Sequence, residues 1–311
     1  MQARQPIESN QSVSASTAGV IVSTQAARFV PEKLLEGDAR ALVLVHGFSG
    51  SRLAWSFLLD DLERERKVLA IDLVGHAGGR PLESGKRASV AALVDGVERD
   101  MDDAGLNRAH LVGSSLGGWI AFELAARGRA ISVVAISPAG GWEAGTAEER
   151  LLGETAIRTH RIARLLSPAA RSLVRSRHFR RALLRQVAEH GDRLPPAMAR
   201  RMIEDTVRCP IYFDLLAAIA RDGPAAFPPV EVPALVLWGE NDRLLPSSRY
   251  SKGLRPLLAR AEWVGLTGLG HAPMYDDPEL IARMILSFAA RAEQETRIGS
   301  SAPHQIPADG R

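Results

Sequence analysis

The sequence predicts an α/β fold built on a doubly wound, mostly parallel β-sheet. Short apolar runs alternate with longer amphipathic stretches from residue 41 to residue 291. Several of these runs are continuous Val, Ile, Leu and Ala, as expected for parallel strands that are covered on both faces. One of them leads directly into a Gly-x-Ser-x-Gly sequence at residues 113–117, which is typical of a tight turn from a strand into a helix.

Six apolar runs predict strands, and four amphipathic stretches between or after them predict the helices of a core. The predicted strands are residues 41–45, 68–71, 110–112, 131–136, 234–238 and 262–264. The predicted core helices are residues 89–104, 116–127, 247–259 and 278–291. Because sheets of this kind place their sites at the carboxyl ends of the strands, we expect the chemistry in the loops that follow them.

A long segment without a convincing strand separates the runs at 131–136 and 234–238. It contains helical patterns at residues 147–166, 169–190, 196–207 and 211–221, with one glycine pair at its entry (140–141) and one proline pair at its exit (228–229). We predict a helical cap over residues 140–228. The core is then predicted at residues 18–139 and 229–294, with disordered segments at 1–17 and 295–311.

Composition and charge argue against several classes of protein. The formal net charge is +3, and no basic block is dense enough to suggest a nucleic-acid partner. Cys209 is the single cysteine, so neither a disulfide framework nor a cysteine metal site is expected. The first residues lack the apolar core of a secretion signal, and no run approaches the roughly 20 apolar residues that cross a bilayer. We therefore expect a cytoplasmic protein without a membrane partner.

Ser115 stands at the centre of the 113–117 sequence and is the predicted nucleophile. The turn would hold it in a strained conformation with its hydroxyl exposed, and the following helix N-terminus would favour developing negative charge. A serine hydroxyl needs a base, and the base needs a carboxylate to orient it. Asp242 follows the fifth predicted strand and His271 follows the sixth, so these two complete the predicted triad. Glu240 is the alternative acid.

Two backbone N–H groups are predicted to stabilise an oxyanion. One belongs to Leu116, directly after the nucleophile, and the other to Phe48 in the loop after the first strand. Four further residues are predicted to contact substrate, namely Gly47, Ser114, Trp119 and Met274. His46 and His76 are predicted to tie loops together. Their spacing does not support a metal site, and none is predicted.

Five motifs in this order and context resemble the α/β-hydrolase superfamily, in its serine-nucleophile, cap-bearing, esterase-like branch, over about residues 40 to 290. They are Leu44-Val45-His46-Gly47-Phe48, Asp72-Leu73-Val74-Gly75-His76-Ala77-Gly78, the 113–117 sequence, Leu237-Trp238-Gly239-Glu240-Asn241-Asp242 and Gly270-His271-Ala272-Pro273. The resemblance implies a cap inserted after strand 6 of the family's sheet, here the strand that ends at residue 136. It also implies an N-terminal hairpin, for which residues 19–23 are the candidate, and neither a metal nor an organic cofactor.

At two positions the sequence differs from other branches of the superfamily, and these differences indicate which branch it resembles. Dehalogenases and epoxide hydrolases of this fold use an aspartate at the centre of the corresponding strand-to-helix turn, the elbow, where this chain has Ser115. Carbon–carbon hydrolases of ring-cleavage pathways usually carry a tryptophan after the catalytic histidine, where this chain has Ala272. The sequence therefore predicts a serine hydrolase that cleaves an ester, thioester or lactone of a small apolar or amphipathic molecule through an acyl-enzyme.

Three alternatives stay open, because a fold does not fix a function. The first is a thioesterase or acyltransferase that acts on a carrier-bound acyl group. Its only hint is a cluster of cap arginines, for which a solvated helix face is the simpler interpretation: Arg171, Arg175, Arg177, Arg180, Arg181 and Arg185. The second is carbon–carbon bond hydrolysis or a cofactor-free lyase reaction. The third is a ligand-sensing protein that keeps the pocket without turnover.

Overall fold

The computed structural model of the chain describes residues 41–300. Within this range six parallel strands form one sheet in the order β2-β1-β3-β4-β5-β6. The strands are β1 (Leu42–Val45), β2 (Val68–Ile71), β3 (Ala109–Ser114), β4 (Ala130–Ile136), β5 (Ala234–Gly239) and β6 (Glu262–Leu266). The strand order reverses between β1 and β3, so this is where ligands of open α/β sheets are expected to bind. The predicted α/β class is confirmed.

Helices lie on both faces of the sheet and in the long segment between β4 and β5. In chain order they are α1 (Leu59–Glu63), α2 (Val90–Asp103), α3 (Leu116–Ala126), α4 (Ala147–Leu166), α5 (Ala170–Leu173), α6 (Arg177–Leu183), α7 (Pro196–Arg208), α8 (Tyr212–Asp222), α9 (Ser247–Tyr250), α10 (Leu254–Leu257) and α11 (Pro278–Ser300). No helix of the described range is both long enough and apolar enough to cross a membrane.

Two apolar layers pack on the two faces of the sheet. Val43 and Val45 of β1 face a layer that includes α2 and α3, whereas Leu42 and Leu44 face a layer that includes α11. All residues of β1, β3 and β5 are buried. This double coverage is the physical reason why these strands are continuously apolar rather than alternating.

The segment between β4 and β5 has a small apolar cluster of its own. Helices α4 to α7 and the segments between them bury a set of apolar side chains against one another, namely Ala163, Ala170, Val174, Leu184, Ala188, Leu194, Ala199 and Ile203. Helix α8 instead packs on the main core through Tyr212 and Leu215. We call residues 140–228 the cap segment; these bounds stay a prediction.

Three predicted elements differ from the structure. The predicted helix 247–259 is divided into α9 and α10, because the Gly253 N–H bonds to Gly141 O over 3.0 Å. The predicted helix 169–190 is divided into α5 and α6, since the Ser176 side chain accepts from Phe179 N and begins a new helix. The predicted tail at 295–311 is helical up to Ser300, in a stretch made largely of good helix formers. The predictions for residues 1–40 and 301–311, including the hairpin at 19–23, lie outside the described residues.

Candidate active site

A cavity of about 260 Å³ lies where the carboxyl ends of the strands meet the cap segment. Its core wall comes from the loops that follow β1, β3, β4, β5 and β6, and its cap wall includes Thr155 of α4, Met202 of α7 and Leu216 of α8. The lining contains every predicted site residue except Asp242: Gly47, Phe48, Ser114, Ser115, Leu116, Trp119, His271 and Met274. The structure thus gathers residues that are up to 227 positions apart in the sequence around one cavity.

Ser115 occupies a strained turn between β3 and α3. Its φ of 55° and ψ of −118° lie in a region that residues with side chains rarely adopt. The turn requires glycine on both sides, because a Cβ on Gly113 would lie 2.1 Å from Gly117 O and one on Gly117 would lie 2.1 Å from Val45 O. This close packing positions the Ser115 side chain in the wall of the cavity.

His271 and Asp242 form a buried hydrogen bond beside the cavity. His271 Nδ1 lies 2.8 Å from Asp242 Oδ2, and because a carboxylate only accepts, Nδ1 carries the proton. Asp242 Oδ1 accepts from Leu244 N at 2.9 Å and from Leu245 N at 2.7 Å. Burial would raise the pKa of Asp242, but His271 and these two N–H groups together hold that pKa below its ordinary value. The carboxylate is therefore fixed in position and ionised.

The hydroxyl of Ser115 is not yet hydrogen-bonded to the imidazole. Within residues 41–300, Ser115 Oγ has no hydrogen-bond partner, although Ser115 and His271 line the same cavity. Hydrogen bonds between nucleophile and base are often looser without substrate than in the reacting complex. The arrangement brings the two side chains into one cavity without a direct hydrogen bond between them.

Glu240, the alternative acid, lies elsewhere. It is exposed, its backbone N–H bonds to Leu266 O, and its side chain lies beside Gly265 of β6. It neither lines the cavity nor bonds to His271. The structure therefore brings Asp242, rather than Glu240, to the imidazole.

Residues 46–51, which we call the β1 loop, lie against the Ser115 turn. A Cβ on Gly47 would be 3.2 Å from Ser115 Cβ, so only glycine fits there without a shift. In the described range the backbone N–H groups of Phe48 and Leu116 have no hydrogen-bond partner. Both are therefore available to an acceptor in the cavity.

His46 fixes the start of the β1 loop. Its Nε2 accepts from Leu73 N at 3.0 Å and its Nδ1 donates to Gly47 O at 2.8 Å, so the ring is neutral and links the loops after β1 and β2. Burial lowers the pKa of His46 to about 4. His76 packs edge-on against it and has a pKa of about 3 for the same reason. Across residues 41–300 no three His, Cys, Asp or Glu side chains come together as a metal site requires.

Sequence reasoning missed a polar group in the cavity wall. Ser51 Oγ donates to Asp205 Oδ2 at 2.8 Å, and Arg201 Nε donates to Asp205 Oδ1 at 2.6 Å. Burial raises the pKa of Asp205 above its ordinary value, although Ser51 and Arg201 oppose that shift. Tyr275, four residues after His271, lines the same wall. In the sequence, the four-residue spacing of Arg201 and Asp205 on α7 indicates an ion pair along the helix and gives no sign of the cavity.

The family model for the alpha/beta hydrolase family matches residues 42–284. The chain belongs to this family. The similarity to the "Epoxide hydrolase EphH" of Mycobacterium tuberculosis is 35% identity over 219 residues, which is 64% of this chain and 94% of that protein. The superfamily inferred from the five motifs is confirmed, and with it a hydrolase as the general class of enzyme.

Solved structures of the alpha/beta hydrolase fold superpose on most of the chain. A crystal structure described as a membrane phospholipase A and bacterial virulence factor has a TM-score of 0.64 and 26% identity, covering 82% of this chain and 80% of that one. A thermophilic esterase from Thermogutta terrifontis has a TM-score of 0.63 and 21% identity, covering 82% of this chain and 91% of that one. The second likeness concerns the fold alone.

Proposed function

We propose that this hydrolase cleaves a carboxylic ester, thioester or lactone of a small apolar or amphipathic molecule through an acyl-enzyme. The observation that supports this most strongly is the 2.8 Å hydrogen bond between His271 and Asp242 in the wall of the cavity that also contains the Ser115 hydroxyl. A neutral imidazole whose Nδ1 proton is held by a carboxylate presents Nε2 as a base. The cavity thus offers a nucleophile and a base to one substrate carbonyl.

The proposed reaction has two halves. Ser115 Oγ attacks the carbonyl carbon while His271 Nε2 takes its proton, and the oxyanion accepts hydrogen bonds from the N–H groups of Phe48 and Leu116. Collapse expels the alcohol or thiol, which receives the proton from His271. A water molecule then gives a proton to His271 and attacks the acyl carbon, which releases the acid and restores Ser115. Asp242 stabilises the transient imidazolium in both halves.

The cavity walls favour an apolar acyl group. Trp119, Trp142 and Leu216 line it together with methionines from both core and cap, and the two tryptophan rings pack edge-on at 5.8 Å. The volume of about 260 Å³ lies just below the roughly 300–1,000 Å³ of typical ligand pockets. These features support a small substrate with an apolar body.

Epoxide opening, which the name of the mycobacterial relative indicates for that protein, is less compatible with this elbow. Attack of Ser115 on an epoxide carbon would form an ether, and an ether has no carbonyl through which water could release the product. An aspartate at the same position would form an ester, which water can cleave. We therefore expect incubation with terminal and internal epoxides to yield no diol above the uncatalysed background.

The nucleophile can be tested with a fluorophosphonate probe. We expect covalent labelling of the wild-type protein and none of Ser115→Ala, which should also lose turnover of p-nitrophenyl acetate. Ser114→Ala is the matched control, because it removes the neighbouring hydroxyl from the cavity wall and leaves Ser115 in place, so labelling should persist. Labelling that persists in Ser115→Ala would assign the nucleophile to another residue. Labelling without any turnover, across esters and thioesters, would favour a ligand-sensing protein.

A further inference from the structure

A second depression, of about 390 Å³, lies on the outer surface where the cap segment meets the core. We call it the basic site. Its lining shares no residue with the candidate active site and consists of His178, Arg181, Ala182, Arg185, Glu189 and Arg243. Three guanidinium groups and one carboxylate thus face a concave surface, which leaves an excess of two positive charges.

The one carboxylate is already engaged. Arg243 Nη1 forms an ion pair with Glu189 Oε2 at 2.5 Å and also donates to Arg185 O at 3.3 Å. The pKa of Glu189 is lowered chiefly by Arg243, with Arg181 contributing. Arg181 and Arg185 are exposed and have no ion-pair partner among the described residues. Two guanidinium groups are thus left for an external anion.

The cap sequence before and through α6 is rich in arginine, and one of these arginines, Arg177, is paired with Asp192. Residues 156–188 contain nine arginines and neither aspartate nor glutamate. Opposite charges are therefore absent from the cap sequence that leads into and through α6. A concave surface inside a field of one sign concentrates anions and accelerates their binding.

Two short chain segments separate the basic site from the active-site cavity. Arg185 and Glu189 face the basic site, whereas Gln186 and Val187 between them line the cavity. On the other side, Arg243 lies between Asp242 and Leu244, and Leu244 lines the cavity. The arginines therefore lie one or two residues along the chain from residues that line the cavity.

We propose that the basic site binds a phosphate group that anchors the part of the substrate lying outside the cavity. Guanidinium groups bind phosphate oxygens in pairs, and the excess of two positive charges matches the −1.5 to −2 carried by a phosphate monoester at about pH 7. The phosphate could belong to a small phosphorylated thiol or alcohol, or to the phosphodiester that holds the prosthetic arm of a carrier protein. Its role as an anchor rests on the proposed acyl transfer, whereas the binding itself does not.

Binding is tested by calorimetric titration of the full chain with inorganic phosphate at low salt. We expect Arg181→Gln combined with Arg185→Gln to raise the Kd about tenfold or more, as the loss of charge-assisted hydrogen bonds predicts. Arg158→Gln combined with Arg161→Gln is the matched control, since both arginines are exposed on α4 and this variant removes the same two charges outside the site. An equal loss in this control, or the absence of millimolar binding by the wild-type protein, would overturn the site.

Its role as an anchor is tested with two thioesters that differ by one group, S-acetylpantetheine and its 4′-phosphate. We expect a lower KM for the phosphorylated compound, lost in the double variant, with unchanged turnover of p-nitrophenyl acetate. If the source is a carrier protein, the same loss will appear with the acyl carrier and not with the free compound. If neither the phosphorylated thioester nor the acyl carrier is hydrolysed with a lower KM than the unphosphorylated thioester, the role as an anchor is contradicted. Phosphate binding without hydrolysis of any ester would instead contradict only the proposed function.

Discussion

Ser51 Oγ donates a 2.8 Å hydrogen bond to Asp205 Oδ2, and this bond joins the β1 loop to cap helix α7. The same loop carries Phe48, and it includes Ser49 at a φ of 55°, a value that costs energy in a residue with a side chain. A strained loop keeps its shape only when its neighbours hold it. Asp205 therefore connects the position of the cap to the position of the Phe48 N–H group.

We expect Asp205→Ala to lower both stability and turnover. It leaves the Ser51 hydroxyl and the Arg201 guanidinium without their acceptor, which predicts a loss of about 1.5–3 kcal/mol in the free energy of unfolding. Because the β1 loop would loosen, kcat for a simple ester should fall more than KM rises. Asp205→Asn retains an acceptor for Ser51 and should keep most of the kcat. Urea unfolding and steady-state kinetics measure both, and equal kcat values for the two variants would refute the link.

The roles of the two acidic side chains near β5 can be separated by charge removal. Asp242→Asn should lower kcat by about 10³–10⁴-fold with little change in KM, because an amide stabilises neither the productive tautomer nor the imidazolium. Glu240→Gln, which alters an exposed side chain away from the cavity, should cost less than about tenfold. The opposite order of the two losses would assign the acid to Glu240.

The sequence predicts the gathering of Ser115, Asp242 and His271 because each follows a strand, and parallel strands present their carboxyl ends at one edge. No comparable rule exists for the contact between Ser51 and Asp205. These residues are 154 positions apart, and neither period nor turn chemistry indicates that α7 packs on the β1 loop. Such contacts depend on how the cap segment docks, which is decided by the packing of the whole chain.

Similar limits explain the errors in the helices. The pattern at 247–259 is amphipathic throughout, but the bond of Gly253 to Gly141 replaces a helical hydrogen bond with a tertiary one. Local propensity gives way to tertiary packing at such points. Likewise, the same apolar residue types of the cap segment lie in the cavity wall, in the cap cluster or at the surface. Sequence alone cannot sort these three environments.

The buried histidine of the β1 loop makes stability depend on pH. In the unfolded chain His46 takes up a proton below its ordinary pKa of about 6.5, whereas the folded protein resists protonation down to a pKa of about 4. The unfolded state therefore binds more protons between these values, so the free energy of unfolding falls as the pH is lowered from about 6.5 to 4. The loss from His46 amounts to about 3 kcal/mol.

His46→Gln tests this dependence, since the glutamine can still accept from Leu73 N but does not titrate in this range. Urea unfolding at several pH values should give a shallower acid slope for the variant. Between about pH 7 and 8, above the unfolded pKa, the two proteins should show the same slope. His76 continues to titrate in both, so a residual slope is expected. Identical acid slopes would show that His46 is protonated in the folded state.

Three apolar cap residues provide a matched test of substrate selection. Leu216 lines the cavity, Leu183 packs partly buried in the cap cluster, and Phe213 is 49% exposed beside His160. Because the groups that act on the carbonyl serve all acyl substrates alike, discrimination between substrates depends on the cavity walls, where one methylene contributes about 1–3 kcal/mol.

Leu216→Ala should therefore raise kcat/KM for hexanoyl relative to acetyl esters by about tenfold or more. Leu183→Ala should instead lower the free energy of unfolding by about 1–3 kcal/mol and leave that ratio unchanged. Phe213→Ala should change both quantities least, and an altered ratio in either control would mean that the cap selects substrate through its movement rather than through its cavity wall.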